Sequence, residues 1–276
     1  MIEYYLLRPL LFLGVTVILL AALKLWHDKS TPYNDDLEII EGGNFAIVLQ
    51  RVGLYLALII AVTGSLSRTR FDLWEDLSIF ALDGAVTLVL LILCSYANDR
   101  LILHNAANTL ELQKGNKAVG LLEAGAYIAT ASIIAGAFGG DGGGIASAIV
   151  FALLGQIALV LLYWIHDWRT PYHLGEEIKR GNIAGACILA GELVALGIIM
   201  RASISGPFVS WSSDLVSFGR SLLGALFFLW LTRILVDWLF LPRTTIHEQI
   251  EKENVAVGAL VGGLSVGAAL AVAAII

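Results

Sequence analysis

Charge is scarce in this chain. Of its 276 residues 14% are charged, against about 25% in ordinary soluble domains. Basic residues are in deficit: 17 Lys and Arg stand against 23 Asp and Glu, a net charge of −6. That leaves no basic footprint for nucleic acid. There are two cysteines, Cys94 and Cys187, both inside apolar runs. Neither has a metal-ligand spacing and no disulfide framework can be built, so both read as small polarizable packing residues. No HExxH, G-x-S-x-G, Walker or kinase signature occurs. The chain is expected to be no enzyme and to use no cofactor and no metal.

Apolar residues are abundant, at 58%, with a mean hydropathy of +0.82. A soluble domain of this length could not hide so much apolar surface, and a chain this poor in charge is not disordered. The composition predicts an all-α, polytopic membrane protein. A bilayer core of about 30 Å takes about 20 apolar residues in a helix. Eight runs qualify: Leu6–Trp26, Asn44–Leu66, Leu77–Tyr96, Ala118–Phe138, Ile145–Ile165, Ile183–Met200, Val216–Leu241 and Val255–Ile276. They are continuous rather than alternating, which predicts helices and not a β-barrel. The first is too long for a signal-peptide core and lacks a small-residue cleavage site.

Joins one, three, five and seven are long and polar. Their face carries ten basic residues: Lys24, Lys29, Arg100, Lys114, Lys117, Arg169, Lys179, Arg180, Arg243 and Lys252. The other face carries four: Arg8, Arg68, Arg70 and Arg201. The positive-inside rule places the long joins in the cytoplasm, with both termini outside a bacterial inner membrane.

A repeat organises the chain. Asn44, Asn116, Asn182 and Asn254 each open an even-numbered span. Two residues on stand Ala46, Ala118, Ala184 and Ala256; nine on stand Gly53, Gly125, Gly191 and Gly263. The spacings of 72, 66 and 72 residues predict four helix-hairpin units. At a longer offset, His27-Asp28 and Thr31-Pro32-Tyr33 recur 139 residues on as His166-Asp167 and Thr170-Pro171-Tyr172. Phe80 and Asp99 recur 138 on as Phe218 and Asp237. The chain thus divides into a four-span half (1–138), a glycine-rich linker (139–144) and a second four-span half (145–276). The glycines fit a flexible join; a phosphate cradle would need a strand before them.

The Gly-Asn-x-Ala opening at Gly43-Asn44, the glycine nine residues after the Asn and the paired recurrence resemble the bacterial membrane family called domain of unknown function 350 (YjfL-like). The resemblance covers nearly the whole chain, as two tandem copies. It implies no established activity, only a neighbourhood with envelope-stress genes. The fourth repeat departs, with Glu253 where Gly43, Gly115 and Gly181 stand.

A short amphipathic stretch precedes each Asn. Asp35 with Glu38, Asn108 with Glu111 and Thr245 with Glu248 read as capping boxes of interfacial helices. Gly43, Gly115 and Gly181 permit a bend into the span, and Glu253 predicts a more continuous helix there. The Asn fits an N-cap or interhelical anchor, or else a polar ring at a pore mouth. The glycine nine residues on, with the pairs Gly181/Gly185, Gly258/Gly262 and Gly263/Gly267, predicts close helix contact. The even spans should therefore pack innermost and the odd spans face lipid. Each unit has two spans, so all four hairpins point the same way, unlike inverted-repeat transporters.

Ionisable residues inside spans need a partner or water. Here these are Arg51, Asp83, Glu123, Glu192, Arg220 and Arg233. Arg51 and Glu123 both lie seven residues after their Asn, which predicts an ion pair. Glu192 lies near the midplane and Asp83 towards the opposite face, so Glu123, Glu192 and Asp83 step across the membrane. Arg220 and Arg233, near the ends of their span, can snorkel. The histidines His27, His104, His166, His173 and His247 fall on the long-join face as headgroup-level polar residues. Two functions follow: a cation or proton conduit, or a non-transporting scaffold or envelope-stress component that binds a cytoplasmic protein partner. The lipid bilayer is the common partner, and a homo-oligomer is compatible with both.

Overall fold

The structure is a computed structural model describing residues 2–68, 72–102, 108–140, 142–169, 174–241 and 244–276, with side chains from residue 6 onward except 67, 68 and 169. Thr170, Pro171 and Tyr172, together with His104, His173, Asp141, Arg70 and Arg243, lie outside the described residues, as do the side chains of Arg68 and Arg169. The chain is all-helical among the described residues. Eight long helices carry the apolar runs: α1 (Ile2–Ser30), α3 (Phe45–Val62), α4 (Leu73–Leu101), α6 (Lys117–Phe138), α7 (Gly144–Arg169), α9 (Ile183–Ile204), α10 (Trp211–Leu235) and α12 (Val255–Ala273). All eight are long and apolar enough to cross a membrane. A 3₁₀ segment (Thr63–Arg68) follows α3, and a wide π turn (Val236–Phe240) extends α10.

Four short helices, α2 (Asp35–Ile40), α5 (Asn108–Gln113), α8 (Leu174–Lys179) and α11 (Ile246–Glu251), each precede an even span. The break between short and long helix is a left-handed residue: Gly43, Gly115 and Gly181 have φ of 59°, 81° and 92°. Glu253 adopts φ 52° at the same point, so the fourth repeat bends like the others and its helix is not continuous. The bend is imposed by the hydrogen bonds on either side of it: Glu253 N–H and Asn254 N–H donate back to Ile250 and Gln249, as Gly181 and Asn182 do to Ile178 and Glu177. The caps of the short helices also differ from expectation. Asn34, not Asp35, caps α2, accepting from the Asp36 and Leu37 amides. Asn108 lies inside α5, while Thr245 does cap α11, accepting from Glu248 N–H at 3.2 Å.

The most extensive helix contacts join α3 to α6, α6 to α9 and α9 to α12, so the even spans stand in a row. Burial follows position in that row: 89% of the apolar window of α6 is buried, but 28% of that of α12. The expectation that all even spans lie innermost thus fails for α12, which is the end of the row. The repeated glycine makes each join. A Cβ at Gly53 would overlap Ala124, one at Gly125 would lie 2.6 Å from the Ala190 Cβ, and one at Gly191 would overlap Gly262. A Cβ at Gly263, on the last span of the row, would meet nothing within 4 Å. α1 packs on α4 and α3, α4 on α6, and α7 on α6 and α9. At the seam, α6 ends at Phe138 and α7 begins at Gly144.

Candidate functional site

The four asparagines have two jobs each. Their Oδ1 accepts from amides in the first turn of the span they open. The Nδ2 of Asn44 donates to Leu112 O at 2.9 Å, that of Asn116 to Lys179 O at 2.8 Å, and that of Asn182 to Ile250 O at 2.9 Å. Each of these carbonyls ends the short helix of the next repeat. The amide of Asn254, on the last span of the row, donates instead to Gln249 of its own short helix at 2.7 Å. These asparagines form anchors along an open row.

Arg51 does not meet Glu123. Its guanidinium pairs with Asp28 at 2.7 Å and with Asp35, both from its own repeat unit. Lys24 also reaches Asp28, at 2.7 Å, and His27 Nδ1 lies 3.6 Å from Asp35. The reason is the parallel repeat itself. Equivalent side chains on helices related by translation point the same way, so Arg51 faces its own hairpin partner and short helix, not its counterpart.

Glu123 lies among α3, α4 and α5, in a cavity that Gln50, Asp99 and Asn108 also line. The Tyr127 hydroxyl lies 3.3 Å from the Glu123 carboxylate and 3.5 Å from that of Asp99 on α4. Among the described residues no ion pair involves Asp99 or Glu123. Both line a cavity of about 340 Å³ with His27, Tyr33, Gln50 and Tyr127. Arg100 edges this cavity, but its guanidinium sits over the Tyr96 ring, 4.6 Å from the centroid. Burial pushes the Tyr33 hydroxyl up to about 12, with the Glu123 carboxylate adding to the effect.

Deeper in the membrane-spanning region, three polar side chains from α4, α6 and α7 close a triangle between the two halves. Asn98 donates to Thr130 at 3.2 Å, Thr130 to Gln156 at 2.8 Å, and Gln156 back to Asn98 at 2.5 Å. Toward the far face, Thr87, Asp83 and Asp76 continue along the buried side of α4, and Asp76 pairs with Arg8 at 2.8 Å. Asp83 and Asp99 are 16 residues apart, about 24 Å along the helix.

Glu192 belongs to a different cavity, of about 520 Å³, in the second half. It is paired with His166 at 2.5 Å and lies 3.9 Å from Arg233, whose Nη1 is 3.1 Å from His166 Nδ1. Arg233 therefore points inward to an acid rather than to the interface alone. The two cavities are repeat-related: His27 and Asp99 line the first, His166 and Asp237 the second. They differ in that only the second contains an arginine–glutamate pair. Among the described residues no group of three His, Cys, Asp or Glu is placed to hold a metal ion.

The sequence singled out Glu123 but missed its companions Asp99 and Tyr127. The Asp99/Asp237 recurrence was a usable signal; Tyr127 has none, because a tyrosine in a span reads as packing. The family described as Domain of Unknown Function (DUF350) matches the chain twice, at residues 1–138 and 142–276. A Bacillus subtilis (strain 168) protein, the UPF0719 transmembrane protein YshE, is 31% identical over 118 residues, which is 43% of this chain and 84% of that protein. No solved structure matches the chain. With both halves matched end to end and eight spans in place, the chain belongs to the DUF350 family, as a membrane protein carrying two tandem copies of the domain.

Proposed function

We propose that this protein conducts protons or a small cation across a bacterial inner membrane, with Asp99 and Glu123 as the uptake pair. The observation that supports this is the sharing of one tyrosine hydroxyl by two carboxyl groups, Glu123 buried and Asp99 half-buried, that have no ion-pair partner among the described residues. Two negative charges so placed are costly to desolvate without compensation. A proton or a cation supplies it, and the cavity beside them gives access. Asn98 of α4 with Thr130 of α6 and Gln156 of α7, then Thr87 and Asp83 of α4, supply further polar groups away from the pair. Glu192, already compensated by His166 and Arg233, serves as an anchor between α7, α9 and α10. In this reading the short helices face the cytoplasm, on the ten-to-four basic bias, and both termini lie outside.

The test is flux into proteoliposomes holding a pH-sensitive dye, under an imposed potential or cation gradient. Parent protein should conduct, and Glu123→Gln and Asp99→Asn should abolish flux while keeping the parent's melting behaviour, since each amide keeps the shape and removes the titration. A parent that conducts under no gradient leaves the non-transporting scaffold as the function. Asn34→Cys should resist impermeant thiol reagents in intact cells; ready labelling reverses the orientation.

A further inference from the structure

The cavity around Glu192 changes from polar to apolar along α10. Its polar lining is His166, Glu192, Arg233, Asp237 and His247. His247 comes from α11, the short helix outside the spans, and Asp237 from the π turn that ends α10. One and two turns further into α10 stand Trp230, Leu229 and Leu226, which line the apolar end. The wall also opens sideways to lipid: Trp230 is 45% exposed and Ile234 43%, on a helix whose apolar window is 17% buried.

The polar groups carry both signs. Arg233, which lines the cavity, is held by His166 and Glu192, and its side chain remains 29% exposed. Asp237 accepts the Ile246 amide with Oδ1, at 2.8 Å, and among the described residues its other oxygen has no ion-pair partner. A π turn is a local irregularity that often marks a ligand site, and Asp237, which lines the cavity, lies within one. Guanidinium matches a phosphodiester and carboxylate matches an ammonium. The first-half cavity lacks this arginine, so the feature is specific to the second copy.

We propose that this cavity binds one phospholipid with a phosphoethanolamine headgroup, its phosphate on Arg233, its ammonium on Asp237 and an acyl chain along Leu226, Leu229 and Trp230. The orientation is that of a lipid in the leaflet on the short-helix side. The site is independent of the uptake pair.

Native mass spectrometry of the full chain in mild detergent reads occupancy directly. With synthetic lipids added, one phosphoethanolamine lipid per chain should be retained, and its trimethylated-headgroup counterpart about tenfold less, because the headgroup loses its ammonium donors. Free phosphoethanolamine should not displace the lipid, whereas displacement would assign the site to the soluble headgroup alone and overturn the lipid. Asp237→Asn should lower retention about tenfold while still accepting the Ile246 amide. Leu226→Trp, which fills the apolar end and leaves every charge in place, should abolish it. Equal retention of both lipid classes by the parent overturns the proposal without any variant having to fold. So does retention by both variants at the parent's level.

Discussion

The side-chain amide of Asn116 donates to the Lys179 carbonyl at 2.8 Å, while its oxygen caps the helix that Asn116 itself begins. One residue thereby fixes both the start of a span and the position of the next repeat. Because Asn44 and Asn182 do the same, the row of even spans is held at the membrane surface by three equivalent bridges. The glycine contacts hold it nine residues deeper.

These two jobs can be separated. Asn116→Asp keeps a cap acceptor and loses the donor, leaving a carboxylate against carbonyl oxygens. It should cost about 1–3 kcal/mol in thermal or denaturant stability in detergent. Asn254→Asp breaks only the bond to Gln249 within its own repeat and should cost less. Equal losses at the two positions would show that the bridge to the next repeat contributes nothing.

The repeated glycines should not be equivalent. Gly191→Leu drives a side chain into Gly262 backbone and should lower yield and melting temperature sharply. Gly263→Leu meets open space and should behave like the parent. Disruption by both would mean that the outer face of α12 is covered in the purified protein.

At the fourth bend a glutamate holds a backbone conformation that L side chains rarely adopt. Glu253→Gly should raise stability by about 1 kcal/mol, and Gly181→Ala, at φ 92°, should lower it by a similar amount. Denaturation midpoints of the two variants check both signs. A Glu253→Gly variant no more stable than the parent would mean that its side chain makes a compensating contact.

Arg51 is 4% exposed in its side chain and Asp35 3%. Removing Arg51 strands Asp35, and the typical penalty for a buried unpaired charge is about 3–5 kcal/mol. In a double-mutant cycle, Arg51→Leu and Asp35→Leu should be milder together than their separate losses sum to. The cycle of Arg51 with Glu123 should show the smaller coupling. The reverse order would put the arginine on the wrong partner.

The sequence by itself determined the eight helices, the two copies and the four hairpins. Uninterrupted apolar length dictates a helix in lipid wherever it occurs, and a period of identical residues survives any packing. It also marked Asn116, Gly125 and Glu123 as special, because a polar or Cβ-less residue at a repeated depth has few neutral explanations. What Glu123 touches was decided only by tertiary structure. Symmetry of position suggested Arg51, yet parallel repeats turn equivalent side chains in the same direction, so Glu123 instead meets Tyr127 one turn along its own helix, whose hydroxyl also lies beside Asp99 of α4. The fate of Gly263 was likewise illegible: a repeat reads the same at the end of a row as in its middle, and only the row itself shows which face has no neighbour. Glu253 carried a misleading signal for a related reason. Its intrinsic preference opposes the bend, but the hydrogen bonds that close α11 and start α12 fix its backbone regardless of the side chain.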